Sequence, residues 1–281
     1  MSVPHVLRWF GLLFSLAMLS ACGVGKTYVA YEFPPDLEPS QGFSYTQESS
    51  PGPRKAPAMG WTVRVVTKEE LERVSRKDPE LSPSISKRIL ANLNARAPYY
   101  IEEDIEAGTP IKAPNDFDAY KNWTPLRHRI PQLSTVPRFI LIAKDVHFIG
   151  WYENGKMVGT SYICVGKEDD WTRAGLYMVR EKDANHVSRS YKNAYGVPAP
   201  MPYALRAYEH VWIHAGDIER GNCSHGCINL PLMPARELFN WANVCTPVLI
   251  VQSMKDVDPV LAQDKSRMLL FDDQGFCRRG E

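Results

Sequence analysis

The sequence predicts a mainly β fold, because short apolar runs bounded by turn residues dominate its second half. Asn154-Gly155 supplies the positive-φ pair that a tight hairpin favours, between expected strands at residues 146–153 and 157–165. A single helix is expected late, with Pro234 near its start and Pro247 after its end. The other expected strands cover residues 139–143, 176–180, 211–214 and 247–251. Many strands and one helix indicate a predominantly β main domain at residues 130–253.

A smaller α/β or α+β region is expected at residues 61–129, before the main domain. Thr67 and Glu70 have the spacing of a capping box for one helix, and residues 84–93 place apolar side chains on one face of a second. A stretch of this size buries little core, so it is either an accessory module or a flap packed on the main domain. Residues 254–281 are expected to be a C-terminal tail.

The first 60 residues carry an export pattern. Arg8 precedes an apolar run that ends at Leu19-Ser20-Ala21-Cys22 and is too short for a permanent membrane span. The pattern resembles a bacterial lipobox, which implies a signal peptide at residues 1–21 and a lipid anchor on Cys22; a plain secretory signal is the alternative. The resemblance implies delivery to the outer membrane, facing the periplasm, in a Gram-negative organism. Residues 22–60 are rich in Pro, Ser and Gly and indicate a tether or a wrapping loop.

The charge balance argues against a nucleic-acid-binding protein, and the cysteine count points to an unpaired thiol. Lys plus Arg number 33 and Asp plus Glu 32, so no overall positive field draws the protein to nucleic acid. Beyond Cys22 the number of cysteines is odd, which leaves at least one thiol unpaired in an oxidising compartment unless two copies join through sulfur. The sequence leaves their pairing open, and the five are Cys164, Cys223, Cys227, Cys245 and Cys277.

One short segment carries the residues of nucleophilic catalysis. An expected strand delivers His214 at its end, followed by Ala215-Gly216, and a glycine turn then presents Cys227 in Ser224-His225-Gly226-Cys227. A histidine within hydrogen-bond reach can take the proton of a thiol and lower its pKa. Gly226 lets the backbone bend so that two amides can point at one developing oxyanion. We expect the loop at residues 217–222 to be solvated.

This segment resembles the signature of L,D-transpeptidase (YkuD-type) catalytic domains, a His-x-Gly followed by Ser-His-Gly-Cys. Flanking matches, including the Asn154-Gly155 hairpin, extend the resemblance over residues 130–251. It implies a β-sandwich or barrel-like domain with Cys227 as nucleophile, His214 as base and the Ala215 carbonyl orienting the imidazole. It further implies positioning or oxyanion roles for Ser224, His225 and Gly226, and substrate-binding roles for Asn229, Tyr203 and Met201.

The resemblance also implies the reaction and its partners. Members attack a tetrapeptide stem of peptidoglycan, release D-Ala and pass the acyl group to an amine, with no cofactor and no metal. The acceptor is a stem amine, water or a lysine of an anchored lipoprotein, and these acceptors would make the protein a cross-linking transpeptidase, a carboxypeptidase or a lipoprotein-attaching enzyme. Carbapenems are expected to acylate Cys227.

Other interpretations stay open at this stage. His214 could be a core histidine and Cys227 an inert thiol in a wall-binding lipoprotein without activity, and a hydrolase that cuts cross-links could use the same residues. His225 is either structural or catalytic. Cys223 could pair with Cys227 as a redox switch, or join Cys227 and His225 around zinc, although no second ligand pair of the usual spacing follows.

Overall fold

The computed structural model describes residues 59–193 and 195–268. The expected signal peptide, Cys22 and nearly all of the expected tether therefore lie outside the described residues, as does the end of the expected tail. None of the helices in the described part of the chain combines the length and the apolar character that crossing a membrane requires.

The region before the main domain contains three helices and a two-stranded antiparallel ladder. Half of the expected capping box is present, since the Thr67 side chain accepts a hydrogen bond from the Glu70 amide at 3.2 Å. The Glu70 carboxylate instead accepts from the Arg64 guanidinium, at 2.6 and 2.7 Å. The third helix was not expected; Pro98 begins it and Gly108 ends it in the left-handed conformation. In chain order the elements are β1 (Trp61–Arg64), α1 (Lys68–Lys77), α2 (Pro83–Asn94), α3 (Pro98–Ala107) and β2 (Ile111–Pro114).

Strands dominate the rest of the described chain, which confirms the mainly β prediction. In chain order the elements are β3 (Arg138–Ala143), β4 (Phe148–Glu153), β5 (Lys156–Tyr162), β6 (Val165–Gly166), β7 (Gly175–Met178), β8 (Glu181–Lys192), β9 (Pro198–Tyr208), β10 (Val211–Ala215), β11 (Asn222–Ser224), β12 (Ile228–Leu230), α4 (Leu232–Trp241), β13 (Pro247–Val251) and α5 (Val257–Met268). The long β8–β9 hairpin was not expected. The expected tail carries α5, whose Val257 and Leu261 are buried in the core, so this part of the tail is a packed helix.

Two larger sheets form the main domain. The first has the order β5-β4-β3-β13-β7, with the expected hairpin between β4 and β5 and with β13 parallel to β3. Asn154 and Gly155 take φ values of 47° and 74°, as the hairpin required. The second has the order β12-β10-β9-β8, and β6 pairs with β11 in a short separate ladder. Both orders are open in the described residues, so the architecture is a sandwich and not a closed barrel.

The five-stranded sheet is buried on both faces. Along β3, Phe139 and Leu141 belong to a core shared with the helices of residues 61–129, whereas Ile140 and Ile142 belong to a core shared with the second sheet and α4. This division follows the alternation of side chains along a strand. The four-stranded sheet therefore covers one face of the central sheet, and its ends carry the residues described next.

Candidate active site

Parallel pairing between β10 and β12 brings the two sequence-predicted catalytic residues together. Ile213 pairs with Ile228 and His214 with Asn229, so Cys227, one residue before β12, lies beside Trp212. Side chains alternate along a strand, and the parallel register therefore puts Trp212, His214, Cys227 and Asn229 on one face. All four line a cavity of about 530 Å³.

The turn before Cys227 depends on Gly226 and Ser224. Gly226 has a φ of +118°, and a Cβ there would lie 2.9 Å from the Trp171 carbonyl oxygen. The Ser224 hydroxyl accepts from the Gly226 amide at 3.0 Å and donates to the Cys227 carbonyl at 2.6 Å. Thr172 donates to the Gly226 carbonyl at 2.8 Å. The Gly226 amide is thus bound within the turn, which corrects the expectation that it points at an oxyanion.

His214 is held as a neutral base. Its Nδ1 donates to the Ala215 carbonyl at 2.8 Å, which leaves Nε2 as the acceptor. Burial lowers the pKa of His214 to about 4, against the opposing effect of the Ala215 hydrogen bond and with a further lowering by His186. The imidazole is therefore uncharged at neutral pH and free to accept a proton.

Cys227 is the cysteine with a free thiol among the described residues. Its side chain is partly buried against Met201, Ala204 and Trp212, and Sγ makes a long contact of 3.9 Å with the His210 carbonyl. Burial raises the pKa of the Cys227 thiol, opposed by a hydrogen bond with the Trp212 backbone. This differs from the expected lowering, because a neutral His214 offers no positive charge to a thiolate.

Two of the three predicted substrate-binding residues, Asn229 and Met201, line the cavity. The side-chain amide of Asn229 donates to the Asp217 backbone carbonyl at 2.9 Å. Tyr203 does not line it. Its positive φ of 57° interrupts the alternation along β9, and its ring packs near Phe239 at a centroid distance of 5.8 Å. A role for Tyr203 in substrate binding stays a prediction.

His225 lies at the mouth of the cavity as part of an aromatic stack. Its exposed ring stacks with Trp171 at 5.6 Å and with Tyr191 at 4.2 Å. Because Tyr191 belongs to β8, this stack joins the β8–β9 hairpin to the turn before Cys227. A positioning role for His225 stays a prediction.

A disulfide joins Cys164 to Cys223 across 59 positions of sequence. Cys164 also exchanges backbone hydrogen bonds with Asn229, at 3.0 and 2.9 Å, so the bridge ties the loop before the nucleophile to β12. Cys223 consequently has no thiolate to offer to Cys227 or to zinc, which removes both alternatives that the sequence left open. No spacing rule signals this pairing.

The helical region supports the loop between His214 and Cys227. Tyr99 and Tyr100 both donate to the Asp217 carboxylate, the latter at 2.8 Å, and the Ala97 amide donates to the Ile218 carbonyl at 2.8 Å. Burial raises the pKa of Asp217. The expected solvated loop is thus anchored at Asp217 and Ile218, because α3, which the sequence did not reveal, packs against it.

Sequence reasoning also missed a second polar pair in the cavity. His186, on β8, stacks on Trp212 at a centroid distance of 3.9 Å, and its Nδ1 lies 3.0 Å from the Asp183 carboxylate. Both residues line the cavity that contains His214 and Cys227. They belong to a polar stretch without a motif, so no local signal could have found them.

One part of the chain is similar to a known family of catalytic domains. Residues 137–250 match the family model described as YkuD, the L,D-transpeptidase catalytic domain. No curated protein matches the chain. Residues 137–250 are therefore similar to L,D-transpeptidase catalytic domains.

Several solved structures that resemble the chain are L,D-transpeptidases. They include an L,D-transpeptidase in complex with imipenem (23% identity, 41% of this chain and 59% of that one, TM-score 0.37). An L,D-transpeptidase from Mycobacterium smegmatis follows (20% identity, 41% and 58%, TM-score 0.37). The catalytic domain of the E. faecium L,D-transpeptidase is a third (28% identity, 41% and 98%, TM-score 0.35). The chain spans about three fifths of the length of the first two.

Proposed function

We propose that this protein is a cysteine-dependent peptidoglycan L,D-transpeptidase. The observation that carries the proposal is the shared face of β10 and β12, on which His214 and the free thiol of Cys227 line one cavity. The family of residues 137–250 supports the reaction class. Nucleophilic catalysis by cysteine needs a base near the thiol and a substrate space open to both, and the cavity offers these.

In the first half-reaction, Cys227 attacks the carbonyl of the third residue of a tetrapeptide stem while His214 Nε2 takes the thiol proton. The imidazolium that forms is a stronger acid than an exposed one, because burial lowers the pKa of His214 to about 4. It therefore gives the proton readily to the departing amine of D-Ala. The carbon–nitrogen bond breaks, and a thioester to Cys227 Sγ remains.

In the second half-reaction, an amine attacks the thioester carbonyl and Cys227 leaves as the thiol. A side-chain amine of another stem gives a 3→3 cross-link, and a lysine of an anchored lipoprotein would attach that protein to the wall. Water in place of the amine gives an L,D-carboxypeptidase. The proposal commits to an amine acceptor.

The proposed location is the periplasmic side of a membrane, with Cys22 as the lipid anchor. The lipobox-like sequence supports it, and a disulfide at Cys164 and Cys223 suits an oxidising compartment. A Cys22→Ala variant should leave the membrane fraction and accumulate in the soluble one. Membrane retention equal to wild type would contradict the anchor.

Incubation of the purified protein with disaccharide-tetrapeptide muropeptides tests the function. We expect release of D-Ala and a cross-linked dimer, identified by mass spectrometry, together with an acyl adduct on Cys227 after exposure to imipenem. Cys227→Ala should give neither product nor adduct while its circular dichroism spectrum stays that of the wild type. Tripeptide without dimer would identify a carboxypeptidase, and full activity of Cys227→Ala would remove the nucleophile.

A further inference from the structure

The Asp183–His186 pair is a second acid–base group in the cavity, contributed by a different strand from the one that carries His214. The Asp183 carboxylate is fixed on both oxygens, since it accepts from the Asn185 amide at 3.0 Å and lies 3.0 Å from His186 Nδ1. An ionised carboxylate only accepts, so Nδ1 carries the hydrogen and Nε2 is left as the proton acceptor of the ring. The side chain of His186 is 16% exposed, so solvent still reaches it.

Trp212 connects this pair to the nucleophile. The His186 ring stacks on the Trp212 ring, and Cys227 packs against the cluster that contains Trp212. His186 is also close enough to His214 for its charge to act on that ring. Three titratable side chains, on β8, on β10 and one residue before β12, therefore line one space.

The second half-reaction needs one more proton acceptor than the first. An alkyl amine arrives as an ammonium ion with a pKa of about 10.4 and must lose a proton before it can attack. His214 must return a proton to Cys227 Sγ in the same half-reaction, so the first proton of the ammonium needs another acceptor. A histidine held by a carboxylate is placed to take this proton, because the carboxylate fixes the tautomer that leaves Nε2 as the acceptor and also attracts the ammonium.

We propose that His186, oriented by Asp183 and stacked on Trp212, is the base that deprotonates the acceptor amine. The inference rests on the proposed transpeptidase function and assigns the acceptor side of the cavity to the β8–β9 hairpin. His186 Nε2 takes one proton from the ammonium, and the neutral amine attacks the thioester carbonyl. As the carbon–sulfur bond breaks, His214 takes the second proton of the nitrogen and passes it to Cys227 Sγ. His186 then releases its proton to water.

The test separates acylation from transfer. Wild type, His186→Phe, His186→Gln and Asp183→Asn are acylated with a tetrapeptide muropeptide, and the decay of the thioester is followed with two acceptors. One acceptor is a stem tripeptide whose side-chain amine is protonated at pH 7, and the other is hydroxylamine, which is already neutral there. His186→Phe keeps an aromatic ring over Trp212 but cannot accept a proton, and His128→Gln, outside the cavity, is the matched control.

We expect both His186 variants to slow transfer to the stem amine by about 10-fold to 100-fold, within the lower range of general-base effects. Transfer to hydroxylamine should fall at most about twofold, since that acceptor needs no such base. Asp183→Asn should give an intermediate loss. An equal loss with both acceptors would mean that His186 only shapes the cavity, and no loss with either would remove it from the reaction; both results overturn the inference. Absence of any acyl-enzyme in wild type would overturn the proposed function itself.

Discussion

Cys227 keeps its proton to a higher pH than an exposed cysteine does, because burial raises its pKa above the ordinary 9.0. His214 beside it is neutral at physiological pH for the same physical reason. The resting site is thus a thiol next to an imidazole and not a thiolate–imidazolium pair. Proton transfer must then accompany attack on the substrate.

Alkylation of Cys227 by iodoacetamide tests this protonation state. The thiolate is the reactive form, so the rate should rise about tenfold per pH unit and continue to rise through pH 9. The measurement follows the peptide that contains Cys227 by mass spectrometry, with the urea-unfolded protein as the control that levels off near the ordinary pKa. A rate that levels off between pH 6 and 8 would mean that the free enzyme holds a thiolate.

The turn at residues 224–227 positions Cys227 through its backbone conformation. Gly226 combines a positive φ with a close approach to the Trp171 carbonyl, and its amide and carbonyl are bound by Ser224 and Thr172. Because Cys227 follows Gly226 directly, a shift of this turn would change the position of the thiol relative to His214. The backbone conformation of the Gly226 turn therefore sets where the reactive thiol lies relative to its base.

Gly226→Ala should destabilise the protein by about 1–3 kcal/mol, through the unfavourable φ and the contact with the Trp171 carbonyl. It should also slow imipenem acylation more than tenfold, because the turn must shift to relieve that contact. Urea unfolding and stopped-flow fluorescence measure the two effects. Gly108→Ala is the matched control, since Gly108 also has a positive φ of 66° but a Cβ there meets no atom within 4 Å. Wild-type acylation by Gly226→Ala would contradict the argument.

Over the whole molecule, the helical region and the central sheet share one hydrophobic core. Leu90 of α2 and Ile101 of α3 belong to the same buried cluster as Phe139 of β3 and Leu249 of β13. The same region holds the Asp217 loop through Tyr100. Residues 61–129 therefore pack as part of the body that carries the site, and we propose that they support the catalytic loop instead of acting as a separate module.

Leu90→Ala should cost about 2–5 kcal/mol, as deletion of a fully buried leucine does, and unfolding should remain a single transition. Tryptophan fluorescence and far-ultraviolet circular dichroism in urea should report the same midpoint. Leu232→Ala is the control: that side chain is 43% exposed, and the expected change is under about 0.5 kcal/mol. Two separated transitions, with the second unchanged, would show that residues 61–129 unfold as a module of their own.

The sequence alone determined what depends on neighbours along the chain. The Asn154-Gly155 hairpin and the cap at Thr67 are local, because a few adjacent residues set their backbone conformation. The glycine turn before Cys227 is local in part, since Ser224 binds its amide. His214 and Cys227 could be chosen for the same reason, since they lie within one short segment whose residue types suit one chemistry.

Only the tertiary structure decided what joins distant parts of the chain. The Cys164–Cys223 bridge, the contact of Tyr100 with Asp217 and the stacking of His186 on Trp212 all depend on strand pairing and packing, which a single sequence does not encode in any local pattern. Burial also depends on packing, and it decided that His214 and Cys227 rest uncharged, because desolvation acts only once the surrounding chain has folded.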